Sequence, residues 1–107
     1  MSTNELPTSP LIEDLRTNAK QATALLKALA NENRLMILCY LEDRELCVTE
    51  LNACLDLSQS ALSQHLAILR KDNLVKTRRE SQTIYYSLNG EEAKAIIGTL
   101  HQMYCKI

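Results

Sequence analysis

Four cysteines are the residues of this 107-residue chain best suited to covalent chemistry or soft-metal binding: Cys39, Cys47, Cys54 and Cys105. No Cys-x-x-Cys pair occurs among them, and no Ser/His/Asp order or phosphate-binding loop is evident. The chain is therefore not expected to be an enzyme or to need a cofactor. The N-terminus lacks a basic segment followed by an apolar block, which makes the cytoplasm the expected compartment. Because disulfide frameworks are rare there, the cysteines are interpreted as reactive thiols or metal ligands.

Polar side chains along residues 58–71 form a second candidate group. At about 100° per residue, a helix here separates two arcs. The apolar arc contains Ala61, Leu62, Leu66, Ile68 and Leu69. The polar arc contains Gln59, Ser60, Ser63, Gln64, Arg70 and Lys71. Amide and hydroxyl groups pair with base edges and long cations contact phosphates, so this arc predicts a surface that reads double-stranded DNA. The alternative is an ordinary solvated face.

Two more residues of this segment have structural interpretations. Ser58 stands where an N-cap would satisfy the first free amides of the helix. His65 falls inside the apolar arc. We expect it to be a structural histidine that is hydrogen-bonded beneath the helix, not a DNA contact or a metal ligand.

The elements around this helix are typical of a winged helix-turn-helix. A short helix over Thr49 to Cys54 and a turn at residues 55–57 precede it, and strands over Leu74 to Arg79 and Thr83 to Leu88 follow. The second helix of such a unit enters the DNA major groove. The loop at residues 78–82 is predicted to bring Arg78 and Arg79 to the tip of the wing, next to phosphates or the minor groove. The alternative is an ordinary exposed hairpin.

The rest of the chain predicts a mostly α fold with this small β-hairpin. Residues 1–10 are expected to be a flexible lead-in and residues 11–107 one domain. A long amphipathic helix starts at Leu11. Asn31 can cap a second helix, Glu32 to Leu41, which is apolar all round and therefore central. A last helix follows Gly90. Apolar stripes on the first and last helices suggest a homodimer joined through both, although both helices could instead wrap one core.

Charge is distributed unevenly along the chain. The net charge of −1 divides into −4 over residues 31–57 and +3 over residues 58–88, with the two ends neutral. The positive charge thus falls on the helix and hairpin expected to face phosphates, although ordinary scatter would also account for it. A winged helix that binds another protein and never DNA is the alternative from a different functional class. No apolar run approaches the roughly 18 residues of a membrane span, so no membrane partner is expected.

Residues Leu29 to Leu88 resemble the ArsR/SmtB family of bacterial winged-helix repressors. The matching runs are Ala28 to Leu35, Leu57 to Leu66, and Leu74-Val75. The resemblance implies a homodimer that binds an inverted-repeat operator and changes its DNA affinity on sensing a metal or an oxidant.

The family's metal-binding motifs are incomplete in this chain. Its thiolate motif resembles Glu-Leu-Cys-Val-Cys-Asp-Leu, but here Cys47 is followed two residues later by Thr49. Its zinc motif on the last helix includes His-x-x-Glu, but here the residue three positions after His101 is Tyr104. Because soft metals need two or three converging thiolates, no metal site is predicted. A zinc- or arsenic-responsive repressor is kept as the alternative function.

Cys39 and Cys105 resemble the cysteine pair of the HlyU/SqrR/BigR-type dithiol subgroup, which senses persulfide and related oxidants. The resemblance implies a switch made of these two residues, operated by a reactive sulfur species or an oxidant, with Cys47 and Cys54 as bystanders. His101 precedes Cys105 by one helical turn, where its proton would favour a thiolate. From the residues alone, each cysteine can equally be a small buried hydrophobe.

Overall fold

The structure is a computed structural model that describes the backbone of residues 9–104 and the side chains of residues 12–104. Five helices and three strands lie in this range. In chain order they are α1 Ser9–Leu29, α2 Glu32–Tyr40, β1 Leu46–Cys47, α3 Val48–Cys54, α4 Gln59–Lys71, β2 Val75–Glu80, β3 Thr83–Leu88 and α5 Gly90–Tyr104. The predicted class, a mostly α winged helix-turn-helix, is confirmed.

The start of each central helix is fixed by a side-chain cap, as predicted. The Asn31 carboxamide oxygen accepts a hydrogen bond from the Arg34 amide at 3.1 Å, before α2. The Ser58 hydroxyl accepts one from the Ala61 amide at 3.1 Å, before α4. Each cap satisfies an amide that the helix itself leaves without a partner. α1 instead begins at Ser9, two residues before the predicted start of the helix at Leu11.

The core lies around α2, which contacts α1, α4 and α5. Seven large side chains are fully buried there: Ile37, Leu38, Leu41, Leu51, Leu62, Leu69 and Ile97. Burial of each stabilises the fold by roughly 1.5–3 kcal/mol. The central position predicted for α2 is confirmed, although Met36 on its outer side remains exposed.

A Schellman turn ends α4 and directs the chain into the wing. The Leu74 amide donates to the Leu69 carbonyl at 2.9 Å, and the Asn73 amide donates to the Arg70 carbonyl at 3.0 Å. Asn73 has a φ of 60°, a left-handed conformation that asparagine tolerates better than most residues. Leu74 therefore belongs to this turn, and β2 begins one residue later than predicted.

The sheet is antiparallel, with strand order β1-β3-β2. The sequence did not predict β1, which pairs Leu46 with Tyr86 and Cys47 with Tyr85. The predicted five-residue loop at 78–82 is wrong. Arg78 and Arg79 lie in β2, and the hairpin turn is only Ser81-Gln82. Arg79 is opposite Ile84, and cross-strand pairs with β-branched and aromatic residues favour the longer ladder.

Candidate nucleic-acid interface

The polar arc of α4 is open to solvent. All six of its predicted members are exposed: Gln59, Ser60, Ser63, Gln64, Arg70 and Lys71. The opposite side holds α4 in the core through Leu62, Leu66 and Leu69, which are each at most 2% exposed. The helix is therefore anchored on one face and presents amides, hydroxyls and two cations on the other, as the division into two arcs predicted.

Ile68 departs from that prediction, because it is 39% exposed. At 100° per residue, it lies roughly 120° from the mean direction of the three buried leucines. Such a position is at the border of the two faces. An apolar side chain at the border remains partly in water.

His65 is half-buried, and its Nδ1 atom is buried without a hydrogen-bond partner among the described residues. The predicted hydrogen bond beneath the helix is therefore not found at this atom. The position on the inner flank of α4 agrees with a structural histidine.

A shallow cavity of about 260 Å³ lies between α3 and the start of α4. It is lined by Val48, Thr49, Asn52, Ala53 and Gln59. The Asn52 side-chain oxygen is buried there without a hydrogen-bond partner among the described residues. Asn52 was not predicted as a site residue, because side chains that could read bases were sought only along residues 58–71. The cavity places Thr49 and Asn52 beside Gln59, at the N-terminal end of the predicted reading surface.

On the wing, Arg78 and Arg79 differ. Arg79 is exposed. The Arg78 guanidinium donates through Nε and Nη2 to Glu45, at 2.9–3.1 Å, and through Nη1 to Glu80 at 2.8 Å. It also lies 4.9 Å from the centre of the Tyr85 ring. The hydrogen bond from Arg78 holds the pKa of Glu45 below its ordinary value, and the bonds to Glu45 and then Glu80 raise the pKa of Arg78.

The cysteines lie in different environments. Cys39, in α2, is half-buried against the core. Cys47 is half-buried before α3, and Cys54 is exposed at the end of α3. Cys105 lies outside the described residues. Among those that are described, no group of three or more His, Cys, Asp or Glu side chains could hold a metal ion.

The last turns of α5 contact the segment that follows α2. His101 Nδ1 lies 3.0 Å from Glu42 Oε1. Glu42 follows Cys39 by three residues, and Cys105 follows His101 by four. The segment that follows α2 therefore contacts α5 at His101, four residues before Cys105 in the sequence.

Comparison with known proteins agrees with this fold. The model of bacterial regulatory proteins of the arsR family matches residues 31–77. The transcriptional activator HlyU of Vibrio cholerae serotype O1 is 56% identical over 95 residues, which cover 89% of this chain and 88% of HlyU. The solved structure of reduced HlyU from Vibrio cholerae N16961 has a TM-score of 0.83 at 57% identity, with 87% of this chain and 98% of that chain covered.

A second solved structure, of the transcriptional repressor BigR from Xylella fastidiosa, has a TM-score of 0.77 at 35% identity. The match covers 88% of this chain and 93% of the BigR chain. The chain therefore belongs to the ArsR family of bacterial regulatory proteins and, within it, is similar to HlyU and BigR. It is a DNA-binding transcriptional regulator, not an enzyme, as predicted. Between residues 9 and 104, no helix is long and apolar enough to cross a bilayer.

Proposed function

We propose that this regulator is a homodimer whose affinity for an inverted-repeat operator is set by oxidation or persulfidation of Cys39 and Cys105. The observation that supports it most directly is the contact between Glu42, two residues after the end of α2, and His101 of α5. That contact lies within four residues of each cysteine in the sequence. The similarity to HlyU, which has been solved in a reduced form, supports a redox-dependent regulator.

Operator reading is assigned to the exposed arc of α4. Gln59 and Gln64 have the amide groups that pair with adenine, while Ser60 and Ser63 serve either donor or acceptor bases. Arg70 on α4 and Arg79 on the wing are placed at phosphates, which set the position of the protein on the duplex but not its sequence preference.

Dimerisation is assigned to α1 and α5. Leu15 and Leu26 on α1 are 64% and 58% exposed, and Met103 and Tyr104 on α5 are 56% and 76% exposed. A twofold-related copy would remove these apolar groups from water. Twofold symmetry places two α4 helices in successive major grooves, about 34–36 Å apart, which matches an inverted repeat.

The switch is a two-electron oxidation of two thiols. Cys39 and Cys105 each lose a proton and together lose two electrons as an S–S bond forms between them. An inorganic disulfide such as HSSH accepts the electrons when its S–S bond breaks, and two molecules of H2S leave. With HSSSH as the oxidant, the same exchange keeps one extra sulfur atom in the bridge. Either bridge ties α5 to α2 and changes the separation of the two α4 helices.

The test is operator binding by Cys39→Ser and Cys105→Ser proteins, with and without polysulfide, on a duplex that wild-type protein enriches from genomic fragments. Allosteric couplings are typically about 5- to 150-fold in affinity, and we expect a wild-type response in that range. Neither serine variant should respond, whereas the exposed Cys54→Ser control should respond as wild type does. Mass spectrometry identifies the bridged thiols. If wild type and both variants respond alike, the cysteine switch is excluded.

A metal-responsive repressor remains the alternative within the same family. The described residues offer it no support, since they contain no cluster of metal-binding side chains. Stoichiometric zinc or arsenite binding by the reduced protein would favour it.

A further inference from the structure

We propose that residues 42–45, which lie between α2 and β1, couple α5 to the wing. This inference rests on the proposed DNA-binding function. Glu42 contacts His101 of α5 at 3.0 Å, and Glu45 is bound to Arg78 of the wing. In this arrangement Arg78 is a positioning residue for the wing, and Arg79 is the phosphate contact.

The wing end of this link crosses the whole sheet. Arg78 is on β2, which forms one edge, while Glu45 directly precedes β1, which forms the other. The Arg78 side chain passes over Tyr85 of the central strand, 4.9 Å from its ring centre, to reach the carboxylate. Nε contacts both carboxylate oxygens at 3.1 Å and Nη2 contacts one at 2.9 Å. Such a multidentate pair fixes orientation as well as distance.

The same pairing makes Arg78 a poor phosphate ligand. Its charge faces two carboxylates, those of Glu45 and Glu80, so the local cluster has a net charge of −1. A DNA phosphate would have to displace a carboxylate and then lie next to it. Arg79, on the adjacent strand position, makes no ion pair with other described residues and is exposed.

The α5 end of the link is more enclosed. The Glu42 side chain is 23% exposed, and its Oε1 atom lies 3.0 Å from His101 Nδ1. Its other oxygen lies close to Gly98, where an added Cβ atom would be 3.6 Å away. Glu42 therefore contacts two successive turns of α5.

Between these ends the segment is short, and its backbone is hydrogen-bonded to the end of α2 and to Leu41. The Glu42 amide donates to the Cys39 carbonyl at 3.2 Å, and the Arg44 amide donates to the Leu41 carbonyl at 3.4 Å. Asp43 has a φ of 60°, a left-handed conformation that few side chains adopt. Only two residues separate Glu42 from Glu45, so a displacement of the first carboxylate changes the position available to the second.

This link gives the cysteine pair a route to the DNA surface. A bridge between Cys39 and Cys105 would act within four residues of both Glu42 and His101. The resulting change at Glu42 would pass to Glu45 and Arg78, and so to the orientation of the wing.

The coupling is tested without DNA by NMR of the 15N-labelled full chain, with the Arg78 Nε–H signal as the probe. His101→Ala and Glu42→Gln should each shift this signal and the amide signals of residues 76–86. The control Gln102→Ala changes an exposed neighbour of His101 and should leave them unchanged. Thermal unfolding confirms that each variant is folded. If neither His101→Ala nor Glu42→Gln moves the Arg78 signal, the coupling is overturned.

A second measurement separates this inference from the proposed function. In a double-mutant cycle of His101→Ala and Glu45→Gln, affinity for the enriched duplex should be non-additive by about fivefold or more, the lower end of typical couplings. Additive effects would overturn the coupling while DNA binding stands. A wild-type protein that binds no duplex, yet shows the NMR effect, would overturn the proposed function and confine the coupling to the free protein.

Discussion

The reading helix α4 and the wing both present polar side chains to solvent, but they differ in whether those side chains already have partners. On α4, Gln59, Ser63 and Gln64 are exposed, and their side chains make no hydrogen bond to other residues within 12–104. On the wing, Arg78 is already bound to Glu45 and Glu80. We therefore expect two surfaces of similar polarity to differ in their capacity to bind DNA. The count of cations in a segment does not reveal this difference, because the partners can come from distant parts of the chain.

Removal of both glutamines from α4 should have the largest effect. Each bidentate base contact contributes about 1–3 kcal/mol of discrimination, so Gln59→Ala with Gln64→Ala should lower specific affinity at least about 30-fold. Non-specific binding and thermal stability should change little, because both side chains are exposed. Fluorescence anisotropy with specific and scrambled duplexes measures both affinities, and Gln102→Ala is the matched control. Unchanged specific affinity would show that α4 is not the reading surface.

Substitutions on the inner face of α4 should lower the stability of the fold and should not remove contacts with bases. Leu62 is fully buried, and Leu62→Ala should destabilise the fold by about 2–5 kcal/mol. Ile68→Ala, at a border position, should cost clearly less. Urea unfolding of the two variants compares them directly. Equal losses would contradict the assignment of inner and border positions.

Substitutions of the two wing arginines should differ in their effect on the salt dependence of DNA affinity. Each lost phosphate contact reduces the slope of log affinity against log salt by about 0.9. Arg79→Gln removes one contact from each subunit of the proposed homodimer, so the slope should fall by about 1.8. Arg78→Gln should leave the slope nearly unchanged while altering affinity through the wing. Titrations at several salt concentrations measure the slope. An equal loss of slope in both variants would make Arg78 a phosphate contact after all.

The smallest expected effect is on the pH dependence of stability. Because Arg78 lowers the pKa of Glu45, the stabilisation is present above the ordinary glutamate value of about 4.3 and is lost as pH falls through the lower folded-state pKa. The stability advantage of wild type over Arg78→Gln should therefore fade below about pH 4. Carbon-13 NMR should show the Glu45 pKa rising toward its ordinary value in Arg78→Gln but not in Arg79→Gln. A Glu45 titration that is the same in all three proteins would contradict the pairing.

Features encoded within a few residues were predicted well from the sequence. The Asn31 and Ser58 caps, the buried leucine face of α4 and the polar arc follow from local spacing. Asn73, which ends α4, was within reach of the same reasoning, because asparagine after a helix is a familiar stop signal.

Features that depend on distant partners were not predicted. Strand β1 has only two residues, too few to show periodicity, and it is defined by its pairing with β3. The pairing of Glu45 with Arg78 joins residues 33 positions apart. Neither residue type reveals that pairing, so the wing arginines were treated as equivalent. The wing loop was predicted too long for the same reason, since its register is set by the partner strand.

The central claim, that the exposed arc of α4 enters the DNA major groove, is tested most directly by photo-crosslinking. A photoreactive amino acid in place of Ser63 should crosslink to bases at two positions of the operator, about one helical turn apart. The same group in place of Glu91, at the start of α5, should give none. Normal DNA binding with no crosslink from position 63, or with crosslinks from position 91 instead, would contradict the account.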